Sequence, residues 1–401
     1  MSGRHVYLDH ASTTPLLPEA LDAMLPLLRE HFATASAMHQ DGLFVRDAIS
    51  KAREQIARLI NAPDPEQIIF TSGGTEAANL AVKGAASASK GNHIVASAIE
   101  HPAVLRSIES LESIGFSCTR VGVDREGRID PQAVTAAITG KTALICVHHA
   151  NYDVGTVQDI PAIAAVAAER EIPLFVDASQ SAGWLEVDAS FAGISFLSLA
   201  PHRFYGPKGV GVLYRNRRNR LNPIIHGGVQ EDGRRAGTEN VAAIVGAGVA
   251  AEFAQRDLAA RSSHTANLQQ QLWTGLQKRV QFLRLNGPPI GHERISQQLN
   301  ISFEFVEGEG IMLMLDMRGV AVASGTACVS KALKPSPVLH ALGIDDSLAR
   351  GAVIFSPGKD TSAADIDFAV ENTVAVVERL RGMSPGWDEF QRGVLGSKIG
   401  P

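Results

Sequence analysis

Cysteine is scarce in this chain, which carries three in 401 residues: Cys118, Cys146 and Cys328. Three thiols cannot all pair within one chain, and these lie too far apart for a short zinc motif. No metal site is expected, and a reducing, cytoplasmic setting is predicted. A basic excess is also missing: 37 Lys plus Arg stand against 42 Asp plus Glu, a formal net charge of -5. That balance excludes a dedicated nucleic-acid binder. Long apolar runs are absent too, since stretches such as 162–168 fall far short of the roughly 20 residues a membrane helix needs. The opening MSGRHVYLDHASTTP has no apolar segment of the kind a secretory leader carries, so no membrane association is expected. Internal repeats and low-complexity tracts are lacking as well.

What is present is an alternation of short β-rich runs and helical patterns. Strands are predicted at 67–70 (QIIF), 93–98, 117–123, 142–149 (TALICVHH), 172–177 (IPLFVD), 195–199 and 209–214 (GVGVLY). Helices are predicted at 75–89, 102–114, 131–138 and 160–169. Strands apolar at consecutive positions, separated by amphipathic helices, indicate a sheet covered on both faces, hence an α/β fold with mostly parallel strands. After Asn240 the pattern changes to a long Ala-rich helix reaching about residue 280. An α+β alternation follows, with strands at 298–303 and 320–323 around a helix at 308–317. The chain is therefore divided into a large domain, 14–260, and a smaller α+β domain formed by 1–13 and 261–401. The arginine-rich RNRRNR at 215–220 reads as a solvated connection, with a polyanion site the lesser alternative.

Four local signals carry chemistry. Thr71-Ser72-Gly73-Gly74-Thr75-Glu76 follows a strand and opens a helix, where small residues let backbone N–H groups approach an anion; a plain helix cap at Thr75 explains it equally well. Phe175-Val176-Asp177-Ala178-Ser179-Gln180 places an acid at the carboxyl end of a buried strand, where ligands sit in open α/β sheets. A protonated ring nitrogen would partner that acid. Residues 200–209 (APHRFYGPKG) form a polar turn between two strands. Ala323-Ser324-Gly325-Thr326-Ala327-Cys328 sets a cysteine among small residues, whereas Cys118 and Cys146 lie inside strand patterns and read as core.

In their order along the chain these segments resemble the NifS/IscS-type cysteine desulfurases, class V enzymes of the pyridoxal-phosphate fold type I. Tyr7–Pro15 (YLDHASTTP), Glu100-His101-Pro102, Tyr205–Gly211 (YGPKGVG) and Arg235–Asn240 (RAGTEN) extend the match over nearly the whole chain. The resemblance implies a fold-type-I transferase with a mostly parallel seven-stranded sheet. It also implies pyridoxal phosphate as cofactor, a small amino-acid substrate or sulfur-acceptor protein as partner, and a homodimer. By the same resemblance His101 stacks on the cofactor ring, Asp177 holds the ring nitrogen protonated and Gln180 donates to the ring hydroxyl. Gly74, Thr75 and His202 contact the phosphate, and Thr238 does so across the dimer interface. Cys328 takes the substrate sulfur as a persulfide.

The pattern breaks at its centre. The cofactor lysine should directly follow His202, and the residue there is Arg203; Lys208 matches a separate lysine of the Gly-Pro-Lys-Gly turn. A guanidinium stays charged and its lone pairs are delocalised, so Arg203 cannot form the usual imine. Tyr152 stands where the family has a carboxylate-binding Asn, Ala200 where it has a phosphate-binding hydroxyl, and Ile354 where it has the carboxylate-clamping Arg. Asp232 replaces an Arg near the dimer edge, and 34–37 (TASA) replaces Asn-Pro-Ser-Ser. The expected function is sulfur transfer from cysteine through Cys328, with pyridoxal phosphate held non-covalently or absent. A catalytically inactive scaffold of the same fold, or a pyridoxal-phosphate enzyme of altered chemistry, is the alternative.

Overall fold

The computed structural model describes residues 4–324 and 335–399. In chain order the first half runs β1 (Val6–Tyr7), α1 (Pro18–Arg29), α2 (Gln40–Leu59), β2 (Ile68–Thr71), α3 (Gly74–Ala88), β3 (His93–Ser97), α4 (Pro102–Glu112), β4 (Ser117–Val121), α5 (Pro131–Ala137), β5 (Thr142–His148), α6 (Ile160–Glu169), β6 (Leu174–Asp177), β7 (Ile194–Leu199) and β8 (Gly211–Arg215). Proline at the first turn of α4, α5 and α6 starts each helix where an N–H would lack an acceptor anyway. His101, Asp130 and Asp159 supply the side-chain caps.

Seven of these strands form one sheet in the order β2-β8-β7-β6-β5-β3-β4. The β7-β6-β5-β3-β4 pairings are parallel, and β8 runs antiparallel to both β7 and β2. Every residue of β2, β3, β6 and β7 is buried, as a sheet covered on both faces requires. Register then places the site. His148 at the end of β5 pairs with Asp177 at the end of β6, and Asp177 pairs with Ser198 of β7. Three polar side chains thus emerge side by side at the carboxyl edge of the sheet, where open α/β sheets bind ligands.

The second half begins with α7 (Val241–Gln277), a 37-residue helix capped by Asn240. It continues through β9 (Leu283–Asn286), β10 (Leu299–Phe303), α8 (Gly308–Asp316), β11 (Val320–Ala321), β12 (Ala323–Ser324), α9 (Pro337–Ala341), α10 (Asp346–Arg350), β13 (Ala352–Phe355), α11 (Ala363–Arg381) and α12 (Pro385–Gln391). An antiparallel sheet β12-β13-β10-β9 packs on α7, α8 and α11, and β1 pairs in parallel with β11. One core joins α2, the central sheet and the first part of α7; another joins the last turns of α7, the small sheet and α11.

Several elements went unread in the sequence, among them α1, α2, β9, β13 and the 19-residue α11. β9 is short and only half-buried apart from Asn286, so it lacks an apolar signature. One sequence reading is corrected. Cys146 is fully buried, but Cys118 lies half-buried on β4, an outermost strand that is exposed at Ser117, Thr119 and Arg120.

Candidate functional site

A cavity of about 460 Å³ opens at the carboxyl ends of β5, β6 and β7. His101, Asp177, Gln180, His202 and Arg203 line it, with Gly74 and Thr75 at the start of α3. The seven positions come from four separate stretches of the chain and meet here. Asp177 is buried, and its Oδ1 accepts from the Ser198 hydroxyl at 2.8 Å and the Ser179 amide at 3.0 Å. These donors fix the carboxylate's orientation and leave Oδ2 for a ligand. His101 caps α4 by accepting the Ala103 N–H on Nδ1 at 3.1 Å, so its proton resides on Nε2. Burial lowers the His101 pKa, with Asp177 opposing and Arg203 assisting the shift; the neutral ring offers a flat face to the cavity.

The opposite end of the cavity suits an anion. A side chain at Gly73 would project into open space, and one at Gly74 would press on Ala200 and Ser179 at 3.1 and 3.2 Å. The chain is thus stripped to backbone where the first N–H groups of α3 lack helical acceptors. Glu76 shapes this loop by accepting the Ser72 N–H at 2.8 Å while Arg235 holds its carboxylate at 2.9 and 3.2 Å. Burial works to raise the Glu76 pKa, but the Arg235 and Ser72 hydrogen bonds outweigh it and hold the carboxyl low. His202 meets the Thr13 hydroxyl through Nδ1 at 3.2 Å. Burial, with Arg203 and Lys208 nearby, pushes its pKa down to about 4. Thr238 lies outside this cavity, in a separate recess of about 230 Å³ beside Glu231 and Arg235. Cys328 lies outside the described residues.

Arg203 occupies the centre. Its Nη1 donates to the Ala11 carbonyl at 2.9 Å and to Oε1 of Gln180, while the Trp184 indole donates to the Arg203 carbonyl at 2.9 Å. Burial presses against the guanidinium's charge, and Asp177 and Asp9 offset part of that pressure. Gln180 is engaged at both ends, because its Nε2 donates to Gln298 Oε1 at 3.1 Å. Gln298 in turn donates to the carbonyls of Tyr152 and Asp153 at 2.6 and 2.7 Å. A continuous chain of hydrogen bonds therefore runs from Arg203 to the turn after β5.

Tyr152 lies in that turn. The Tyr152 ring meets His101 edge-on at 5.2 Å between centroids, and burial raises its hydroxyl pKa. Ile354, in the middle of β13, is 8% exposed and offers no charge. Asp153 is buried and accepts from Asn300 Nδ2 at 2.5 Å and from the Ser336 hydroxyl. Burial pushes its pKa up to about 6 despite those bonds. Two residues escaped sequence reasoning: His148, which lines the cavity, and Glu100 behind it. The His148 Nδ1 donates to Glu100 Oε1 at 2.7 Å, and its Nε2 accepts from Gln158 at 3.2 Å. The adjacent His148-His149 pair at a strand end was the available signal.

These titrations have a measurable consequence. Burial pushes His149, like His202, down to about 4. Between about pH 4 and 6 the unfolded chain holds two imidazole protons that the folded chain lacks, and folded Asp153 holds one that the unfolded chain lacks. Stability should therefore fall with acidification, by about 1.4 kcal/mol per pH unit from these three groups. Asp153→Asn removes one opposing proton, so urea midpoints across this window should fall more steeply. An unchanged or flatter slope would contradict the assignment of Asp153.

The fold and cavity can now be set beside known proteins. The aminotransferase class-V family model matches residues 6–379. The chain belongs to the aminotransferase class-V family. Cysteine desulfurase IscS of Dictyoglomus turgidum is 43% identical over 390 residues, covering 97% of this chain and 98% of the relative. A solved NifS-like protein superposes with a TM-score of 0.88 at 29% identity, over 94% of this chain and all of that one. A structure described as SspA in complex with cysteine has a TM-score of 0.78 at 36% identity, covering 89% of this chain and all of the other. The chain is thus a cysteine desulfurase-like, class V protein with a mixed, mostly parallel seven-stranded sheet.

Pyridoxal phosphate, the group this membership implies, can be tested against the cavity. Asp177 suits a protonated ring nitrogen, the His101 face suits an aromatic ring, and the bare backbone at Gly73-Gly74 suits a phosphate. Arg203 offers no amine for a covalent link, and Lys208 is exposed on the rim. The ring nitrogen, ring face and phosphate of the group thus each meet a matching residue in the cavity. Among the described residues no helix is long and apolar enough to cross a membrane, and no group of three or more His, Cys, Asp or Glu could hold a metal ion.

Proposed function

We propose that this chain transfers sulfur from cysteine to Cys328, with pyridoxal phosphate held in the cavity by non-covalent contacts alone. The observation that carries the reading is the convergence of Asp177, His101 and the α3 N-terminus on one cavity beside a guanidinium. Pyridoxal phosphate would supply an electron sink when bound. The protein's own part is to hold a carboxylate at the ring nitrogen through Asp177, oriented by Ser198 and Ser179. The His101 face covers the ring, and the α3 N–H groups with neutral His202 donate hydrogen bonds to the phosphate. Arg203 keeps a fixed positive charge where the family carries an amine.

The substrate class follows the relatives' names and the structure described with cysteine. A homodimer is part of the same reading. Thr238 faces a recess apart from its own cavity, and Phe32 and Met38 lie 80% and 91% exposed near α1 and α2, as a surface covered by a second copy would have them. The separate cores on either side of the middle of α7 support a domain division near residue 260.

The test is sulfide release from cysteine with added pyridoxal phosphate, the natural protein against Cys328→Ser. Sulfide well above the variant is the expected result. Sulfide at the variant's level would refute transfer and, with ligand still bound, leave a scaffold that retains its ligand pocket.

A further inference from the structure

Glu100 is not among the residues lining the cavity, yet its carboxylate is buried directly behind it. Strand β3 ends at Ser97, and its last pairing with β5 joins Ala96 to Cys146. The amide of His148, two residues further along β5, therefore has no β3 carbonyl to meet. Glu100 Oε1 takes that N–H at 2.8 Å and the His148 Nδ1–H at 2.7 Å. The imidazole tautomer is set from its other side. Gln158 Oε1 accepts the Ile129 N–H at 2.9 Å, and Gln158 Nε2 donates to the Gly127 carbonyl at 2.7 Å. The Gln158 amide thus presents only a donor to His148 Nε2, at 3.2 Å. A second tie lies one residue away, where Asn151 Nδ2 donates to the Ile99 carbonyl at 3.1 Å.

We infer that Glu100 is a positioning residue for His101: by clamping the turn before α4 onto the end of β5, it fixes the imidazole face relative to Asp177. The inference rests on the reading of the cavity as a pyridoxal-phosphate site and deepens it. Each end of the clamp adjoins one of the two groups that face the cavity. His101 follows Glu100 directly and caps α4. His148 pairs with Asp177 across β5 and β6, and the next amide, that of His149, donates to the Asp177 carbonyl at 2.9 Å. Glu100 serves here as an acceptor, not as a charge. Its Oε2 is buried and makes no hydrogen bond among the described residues, so a glutamine, which keeps one acceptor oxygen, can hold the same two N–H groups. A side chain with no acceptor orphans both donors of His148, and the turn that carries His101 loses its anchor.

The test is a double-mutant cycle on the equilibrium binding of pyridoxal 5′-phosphate to the full chain, read by calorimetry. Glu100→Leu should weaken binding by about 5- to 10-fold, the worth of one well-placed aromatic contact, and Glu100→Gln should stay within about 2-fold of the natural protein. In a His101→Ala background Glu100→Leu should change the affinity by less than about 1.5-fold, because a residue that acts through another loses its effect once that other is gone. A merely structural role predicts the same loss in both backgrounds, and that result would overturn the inference. So would a Glu100→Gln variant as weak as Glu100→Leu, which would make the charge of Glu100 the cause. If Glu100→Leu does not fold, His148→Leu, which removes the Nδ1–H and leaves the backbone bond, enters the same cycle with the same expectation. No binding of pyridoxal phosphate by the natural protein would overturn the reading of the cavity and this inference together.

Discussion

Arg203→Lys should give this protein a covalent bond to pyridoxal phosphate that the natural chain cannot form. After incubation with the cofactor and reduction with borohydride, the variant should gain the mass of one pyridoxyl phosphate per chain, and the natural protein none. The difference lies in the head group. A guanidinium keeps its charge throughout the neutral range, whereas an ammonium placed in the same position loses its proton more readily and becomes a nucleophile. The surroundings are already arranged for it: the 203 side chain lies between Asp177, Gln180 and Ala11 at the cavity centre. A lysine gives up some of the Nη1 hydrogen bonds, a cost of about 1–3 kcal/mol, so a thermal scan must show the variant folded. A folded variant without the adduct would mean that the cavity does not bring the aldehyde to position 203. An adduct on the natural chain would point to Lys208 instead.

Removing Glu231 should cost the fold about 3–5 kcal/mol, the usual penalty for leaving a buried charge uncompensated. Arg53 and Glu231 meet in two hydrogen bonds of 2.8 Å, with side chains 13% and 5% exposed. Arg53 also donates to the Ile68 carbonyl and lies over the Phe70 ring at 4.9 Å, and Glu231 Oε2 accepts the Phe70 N–H at 3.0 Å. The pair thus fastens β2 immediately before the Thr71–Gly74 turn. Glu231→Ala should lower the urea-unfolding free energy by that amount and weaken phosphate binding at the α3 N-terminus. The double variant Arg53→Met/Glu231→Ala should recover part of the loss, because no orphaned guanidinium remains. A loss below about 1 kcal/mol in the single variant would show that solvent reaches Arg53 and compensates it.

Much of the molecule was legible before any coordinate. The central strands at 142–149, 172–177 and 195–199 announce themselves because a strand buried on both faces must be apolar at consecutive positions. The helix from Asn240 is marked by its cap and its Ala-rich run. Cys118 shows the limit: an edge strand shares the local pattern of a central one, and only the sheet order, which puts β4 outermost, separates them. β9 and β13 were silent for a related reason, being short strands whose pairing comes from residues distant in sequence.

By itself the sequence determined the chemistry of position 203. An arginine cannot do what an amine does, wherever the chain places it. Ile354 likewise cannot clamp a carboxylate. Only the tertiary structure decided how these losses combine. Gln180 is bound by Arg203 and Gln298, 23 and 118 positions away, and Asp177 is aimed by Ser198 across a strand register. His148 reaches Glu100 because β5 ends beside the turn before α4. Such contacts leave no periodic trace in a sequence, since they depend on register and loop approach rather than on neighbours along the chain. Residue identity sets what each group can donate or accept; the fold sets which groups remain free to do so.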